Sequence, residues 1–97
     1  REPGGILVLE VNKVDYSLAQ ISQIVESNDA KILSAYVASI PDSTKVEVTL
    51  KVNRDDLTRI LQTFSRYNYT VKATFHQSSY EEDMRSRYDE FMNYINM

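Results

Sequence analysis

The sequence predicts a single α+β domain in which a four-stranded antiparallel sheet carries two helices on one face. Its length of 97 residues is enough for one core and too short for two domains. The spacing of its apolar residues switches repeatedly between a period of two and helical spacing. The switches follow the order βαββαβ, in which two strand-helix-strand units share one sheet.

The first half of the chain supplies a strand, a helix and a second strand. Residues 6–11 are almost wholly apolar, which suits a central strand with both faces covered. Ser17 and Gln20 have the spacing of a capping box and precede apolar residues at helical spacing, which predicts the first helix. Residues 32–40 are apolar and extended again, and we expect a second strand there.

The second half repeats this order. Residues 41–44 have turn chemistry and lead to residues 45–52, where apolar and polar side chains alternate as in a third strand. Asn53 is expected to cap a second helix, whose apolar stripe lies within residues 57–64. Alternation over residues 69–75 predicts a fourth strand. The complete order is that of a ferredoxin-like βαββαβ sandwich.

The two ends of the chain have their own character. Residues 1–5 contain Pro and two glycines and are expected to be a linker. Since the chain begins with Arg, we expect it to be part of a longer protein with an upstream domain. The α+β domain then covers residues 6–77, and residues 78–97 are expected to form a C-terminal amphipathic helix. The apolar side chains of that helix expected in an interface are Met84, Tyr88, Phe91 and Ile95.

The sheet face opposite the two helices is expected to be apolar. Ile6 and Val8 of the first strand should point to this face, as should Ile32 and Tyr36 of the second. Large exposed apolar patches usually mark contacts. We therefore expect the third helix, a second subunit or a neighbouring domain to cover this open face, with a homodimer as the expected assembly.

Composition excludes several classes of protein. The chain has no cysteine, so it can form neither disulfides nor a thiolate metal site, and a cytoplasmic location is expected. No apolar run approaches the roughly 18 residues of a membrane span, so no membrane association is expected. The net charge of −3 argues against nucleic acid as a partner, because phosphate binding needs clustered Lys and Arg.

The sequence offers little for catalysis. His76 is the only histidine and has no nucleophile or ligand at a recognisable spacing. The acidic pairs Asp55-Asp56 and Glu81-Glu82 lie at predicted helix starts, where negative charge complements the helix dipole. No Gly-rich phosphate-binding loop occurs. We expect no enzyme activity, no cofactor and no metal.

Residues 6–37, ILVLEVNKVDYSLAQISQIVESNDAKILSAYV, resemble the first half of an ACT domain. The segment 30–34, which leads into the second strand, is the most recognisable piece, and the resemblance extends over residues 5 to about 77. ACT domains are non-catalytic regulatory modules that bind an amino acid or another small effector between two copies. The chain is also similar to the C-terminal ACT region of acetoin-utilisation-type proteins, in which a CBS-domain pair lies upstream.

The resemblance implies a ligand site in the loop after the first strand, although the chain departs from the family there. Tyr16 and Asp29 occupy positions where the family commonly has Gly, which places a side chain in space near the ligand. Polar family positions align with Lys13 and Lys31, and two cations converging there could hold a carboxylate or phosphate. The expected ligand-binding residues are Asn12, Lys13, Asp15, Tyr16, Ser17 and Lys31.

Other functions of the same topology fit less well. An RNA-binding module needs aromatic side chains on the open face of the third strand, where this chain has Lys45, Glu47, Thr49 and Lys51. An acylphosphatase-type enzyme needs an Arg and a phosphate-holding loop after the first strand, but residues 12–17 contain neither Arg nor Gly. The preferred function is a regulatory module that binds an effector and dimerises. The alternative is a pure assembly domain that has lost effector binding.

Overall fold

The computed structural model describes residues 4–76, which form four strands and two α-helices. In chain order they are β1 (Gly5–Asn12), α1 (Leu18–Glu26), β2 (Ile32–Ser39), β3 (Lys45–Val52), α2 (Thr58–Arg66) and β4 (Thr70–His76). A one-turn 3₁₀ helix, Lys13–Asp15, joins β1 to α1. The predicted element order is confirmed. The expected C-terminal helix, with Met84, Tyr88, Phe91 and Ile95, lies outside the described residues.

The four strands form one antiparallel sheet in the order β2-β3-β1-β4. Leu7 of β1 lies opposite Leu50 of β3, and this register continues over the whole length of both strands. The architecture is therefore a compact α+β fold, consistent with a ferredoxin-like arrangement. Within residues 4–76, neither helix is long and apolar enough to cross a membrane.

The core fills the space between one sheet face and the two helices. Alternate residues of β1 and β3 point into it, and Leu7, Leu9 and Leu50 are fully buried. From the helix side, Ile21 of α1 and Phe64 of α2 are also fully buried. Complete burial of each such side chain contributes about 1.5–3 kcal/mol, so this layer supplies most of the hydrophobic stabilisation.

A β-bulge in β2 overturns one predicted placement. The register shifts between Ile32 and Ser34, so Ile32 lies opposite Val52 and packs against the core. The expectation that Ile32 points to the open face is therefore wrong. One extra residue at Leu33 reverses the alternation at the start of the strand. Tyr36, after the bulge, lies opposite Thr49 and faces the open side as predicted.

A second bulge lies in β4. The register shifts so that Ala73 is opposite Val8 and Phe75 is opposite Ile6, whereas Val71 is opposite Leu9. Ala73 and Phe75 thus share the open face with Ile6 and Val8. Simple alternation through this strand predicts that Val71, Ala73 and Phe75 share a face, and the extra residue breaks that pattern.

The helix starts and the first strand also differ in part from the sequence expectations. Ser17 caps α1 as predicted, because its Oγ accepts a hydrogen bond of 3.2 Å from the Gln20 N–H. The predicted cap of α2 is wrong: Asn53 instead accepts a 2.7 Å hydrogen bond from the Lys31 N–H. Gly5, expected in a linker, is a buried residue of β1. Helix α2 begins beside Asp56, whose carboxylate accepts from the Thr58 N–H at 3.0 Å.

Candidate functional site: a polar cleft at the end of β1

A polar cleft lies where β1 ends, and we name it the β1-end cleft. It has a volume of about 520 Å³. Strands β3 and β4 both run antiparallel to β1, so their first residues lie beside the last residues of β1. Polar side chains that line it include Glu10, Asn12, Asp15, Gln20, Lys45 and Tyr69.

The charged side chains of the cleft have both signs. Glu10 near the end of β1 and Asp15 of the 3₁₀ helix are acidic, and Lys45 at the start of β3 is basic. Lys45 lies directly opposite Asn12 in the β1–β3 register. A ligand in this cleft can therefore meet a cation, two carboxylates and an amide within one space, which suits a small molecule that itself carries both charges.

Tyr69 forms a firm wall of the cleft. Its hydroxyl donates a 2.8 Å hydrogen bond to Oε1 of Gln20, which links the turn before β4 to α1. Its ring meets Phe64 edge to face, with ring centroids 5.1 Å apart. Burial raises the pKa of the Tyr69 phenol, so the hydroxyl stays protonated and remains a donor at neutral pH. The Gln20 side chain is thereby engaged with Tyr69 rather than with the start of its own helix.

Two of the predicted ligand-binding residues line the cleft. Asn12 and Asp15 both belong to it, and the Asn12 Nδ2 atom lies 3.4 Å from Oδ2 of Asp15. The contact is long for a hydrogen bond, so both groups keep capacity for a ligand.

The other three predicted residues of the loop have structural contacts. The Lys13 backbone N–H donates to the Thr44 carbonyl at 2.8 Å, while Tyr16 packs against the core. Ser17 caps α1. Because the Tyr16 side chain turns to the core, it does not fill the cleft.

Lys31 lies at the other end of the sheet, so Lys13 and Lys31 do not converge within one copy of the chain. The Lys31 carbonyl accepts from the Asn53 N–H at 3.1 Å, just beyond the end of β3, whereas Lys13 bonds just before its start. The eight residues of β3 separate the two lysines by about 24 Å. Strands β1 and β2 run in the same direction, so the end of one is remote from the start of the other. Lys31 instead pairs with Glu26 at 3.7 Å.

Lys45, Asn68 and Tyr69 are cleft residues that sequence reasoning missed. They come from β3 and from the turn before β4, far along the chain from the predicted loop. Asn68 has a left-handed backbone with φ of 63°, which Asn adopts more easily than most residues. Asn favours turns, but only the strand order brings this turn beside Asn12.

His76 has a partner that the sequence did not suggest. Its Nδ1 lies 2.8 Å from Oδ1 of Asp55. The two side chains are 60% and 57% exposed, which makes the pair a surface contact between β4 and the loop before α2. Among residues 4–76 no group of three or more acidic or histidine side chains is arranged to hold a metal ion.

No protein-family model matches the chain, and no curated protein matches its sequence. The resemblance of residues 6–37 to an ACT domain therefore stays a prediction.

Proposed function

We propose that the chain is a non-catalytic regulatory module of the ACT kind, which binds a small effector and mediates dimerisation of a larger protein. The β1-end cleft carries this proposal, because it joins the loop expected to bind ligand to a lysine and an acidic pair. The proposal includes a ferredoxin-like fold, a cytoplasmic location and an upstream domain, with a CBS pair of the acetoin-utilisation type as the expected one.

The charges of the cleft favour an amino acid over a simple anion. Lys45 can bind a carboxylate, while Glu10 and Asp15 can bind an ammonium group. Phosphate or a dicarboxylate would meet two negative side chains for each positive one, which disfavours binding. A zwitterionic α-amino acid satisfies all three groups. Its side chain would then lie toward the wall formed by Tyr69.

Thermal shift measurements with single amino acids test the effector half of the proposal. A ligand at 100 times its Kd adds about 2.7 kcal/mol, which raises the Tm of a domain of this size by roughly 10 °C or more. The Lys45→Gln variant should lose this shift. Lys51→Gln is the matched control, because Lys51 lies on the same strand and the same open face but at its other end.

The outcomes separate cleanly. A shift that persists in Lys45→Gln, or that disappears equally in Lys51→Gln, would contradict binding in the β1-end cleft. If none of the amino acids moves the Tm of the unmodified chain, effector binding is absent and the assembly function takes its place.

A pure assembly domain is the second candidate, and β2 favours it. This edge strand has the sequence ILSAYVAS, without any charge, and most of its residues are exposed. A strand of this kind can pair with another chain. Dimerisation without any effector would agree with this candidate.

A further inference from the structure

The apolar residues of the open face lie in two neighbouring rows that cross the sheet. The strand registers place in one row Tyr36, Thr49, Val8 and Ala73, and in the next Ser34, Lys51, Ile6 and Phe75. We name these residues the open-face band. On its outer strands Tyr36 is 69% exposed and Phe75 41%, so large apolar side chains meet solvent at both margins. Exposed apolar surfaces of this kind usually mark a contact.

Charge limits what the open-face band can accept. The row beyond it pairs Glu10 of β1 with Glu47 of β3, and the Nζ of Lys72 lies 3.1 Å from Oε2 of Glu47. Within the band itself the charged residue is Lys51. An occupant that is apolar along its centre and acidic at its flanks therefore complements the band. The carboxylates of the row beyond repel such an occupant and keep it to the two apolar rows.

The chain supplies such an occupant in residues 78–97, which the sequence predicts to form an amphipathic helix. The large apolar residues that recur at steps of four and three, the spacing of one helix face, are Tyr80, Met84, Tyr88, Phe91 and Ile95. Between positions 81 and 90 the segment has five acidic residues against two basic ones. An isolated helix of this length is marginal in water, so its apolar face needs a surface to cover.

The end of β4 places this segment beside the open-face band. Phe75, the next-to-last residue of β4, lies opposite Ile6 and belongs to the band itself. Tyr80 follows His76 by a chain length that reaches at most about 14 Å. A connection this short holds the segment at an effective concentration on the order of millimolar. That concentration favours the sheet of the same chain over the sheet of another copy.

The dimensions of a helix also fit the band. In a helix, residues 80–95 span about 22 Å, which exceeds the roughly 14 Å between the two outer strands of the sheet. The two rows are about 7 Å apart, and a helix with its side chains is about 10 Å wide. One helix that crosses the strands can therefore cover both rows.

We propose that residues 78–97 form a helix that crosses the open face of the sheet of the same chain. Its apolar side chains cover the open-face band, and its acidic residues lie around Lys51. The sheet then has helices on both faces, and the open face is not available to a second copy or a neighbouring domain. This inference goes beyond the proposed function and requires neither an effector nor a dimer.

Thiol labelling tests whether the segment covers the band, because the chain contains no cysteine of its own. Val8→Cys places a single thiol at the centre of the band, and its rate with iodoacetamide is measured in the full chain. Adding Phe91→Asp or Tyr88→Asp should raise that rate at least fivefold. Asn93→Asp is the matched control, because helical spacing places residue 93 on the opposite side from residue 91. It should leave the rate unchanged.

Cross-linking identifies the chain that supplies the segment. Val8→Cys is combined with Met84→Cys in one full chain and treated with a short bismaleimide in dilute solution. This pair should be joined at least tenfold faster than the control pair of Val8→Cys with Asn93→Cys, and its product should keep the mass of a single chain. Because these substitutions leave most of the apolar stripe in place, this measurement holds even where an aspartate variant fails to fold.

The outcomes judge the docking separately from the proposed function. A rate at position 8 that neither aspartate variant on the apolar face changes, with an unaltered circular dichroism spectrum, overturns the proposal. Equal cross-linking of the two pairs overturns it as well. A product with twice the mass of the chain assigns the segment to a second copy and overturns docking within one chain. Since none of these measurements uses an effector, a negative result leaves effector binding to the amino acid measurements.

Discussion

At the scale of single residues, Asp29 holds a backbone conformation that favours glycine. It follows the end of α1 with φ of 58°, and its N–H donates to the Glu26 carbonyl at 3.2 Å. Glycine adopts this conformation without steric cost at the end of a helix, whereas the Cβ of Asp29 is strained in it.

Alanine and glycine variants should have opposite orders of stability at the left-handed Asp29 and at the helical Gln23. Asp29→Ala should be less stable than Asp29→Gly by about 1 kcal/mol, because a left-handed conformation strains any residue with a Cβ. Gln23 is exposed on α1, so Gln23→Ala should instead be more stable than Gln23→Gly by about 1 kcal/mol. Urea denaturation of the four variants measures both differences. The same order at both sites would mean that Asp29 is not held left-handed in solution.

Asp56 makes the stability of the start of α2 depend on pH. Its carboxylate accepts hydrogen bonds from the Thr58 hydroxyl at 2.7 Å and from the Thr58 N–H at 3.0 Å. Both hydrogen bonds lower the pKa of the Asp56 carboxyl, and the bond from the hydroxyl has the larger effect. Slight desolvation opposes them. A carboxyl whose pKa is lower in the folded state than in the unfolded state stabilises the fold at pH values above its unfolded-state pKa. This stabilisation is lost as the pH falls through the folded-state pKa.

The expected consequence is a loss of stability below about pH 4, the ordinary range of an aspartate. Asp56→Asn should flatten that part of the stability curve and leave the region near neutral pH parallel to the unmodified chain. Denaturation at a series of pH values gives the curves. Asp42→Asn, in the exposed turn between β2 and β3, controls for the change in net charge. If both variants flatten the curve equally, the contact with Thr58 is not its cause.

At the scale of elements, Gly5 determines how closely α2 begins above β1. A Cβ at this position would lie 2.8 Å from both Cδ atoms of Leu57 and 3.0 Å from the Arg54 carbonyl oxygen. Gly5→Ala should therefore destabilise the fold by about 1–3 kcal/mol, as overpacking commonly does. In the Leu57→Ala background the penalty should be smaller, because the closest atoms are gone. Urea denaturation of this double-mutant cycle measures the coupling, and an equal penalty in both backgrounds would contradict it.

The spacing of apolar residues was sufficient to predict the element order, because burial on one face imposes a period on each segment. It could not predict the bulges. The extra residue at Leu33 turns Ile32 into the core, and the one near Lys72 turns Phe75 onto the open face, yet neither leaves a mark in the local pattern. A bulge is decided by the pairing of two strands that are distant in sequence.

The same limit applies to the candidate site. Asn12 and Asp15 could be predicted, because loops at strand ends often carry ligand sites. Lys45 and Tyr69 could not, since only the strand order β2-β3-β1-β4 brings them beside that loop. The separation of Lys13 and Lys31 could not be predicted for the same reason, because they lie at opposite ends of β3 only once the strand directions are known.

At the scale of the whole molecule, the core and the cleft share one aromatic pair. Phe64 is fully buried, and its ring contacts Tyr69, whose hydroxyl bonds to Gln20 in the cleft wall. Small domains have a free energy of unfolding of only about 5–15 kcal/mol. A single buried aromatic ring is therefore a large share of the stability, and the wall of the cleft depends on it.

Phe64→Ala should lower the free energy of unfolding by about 3–5 kcal/mol, the usual cost of removing a buried aromatic side chain. Tyr67→Ala is the matched control, because Tyr67 follows the same helix but is 55% exposed, and its loss should cost less than about 1 kcal/mol. Phe64→Leu, which keeps most of the volume, should fall between them and remain folded. Urea denaturation followed by circular dichroism gives the three values. A loss in Phe64→Ala no greater than in Tyr67→Ala would mean that the ring does not join the helices to the sheet. With the predicted order, any amino acid bound in the cleft should also bind more weakly to Phe64→Leu, since Tyr69 loses the edge-to-face contact that orients it.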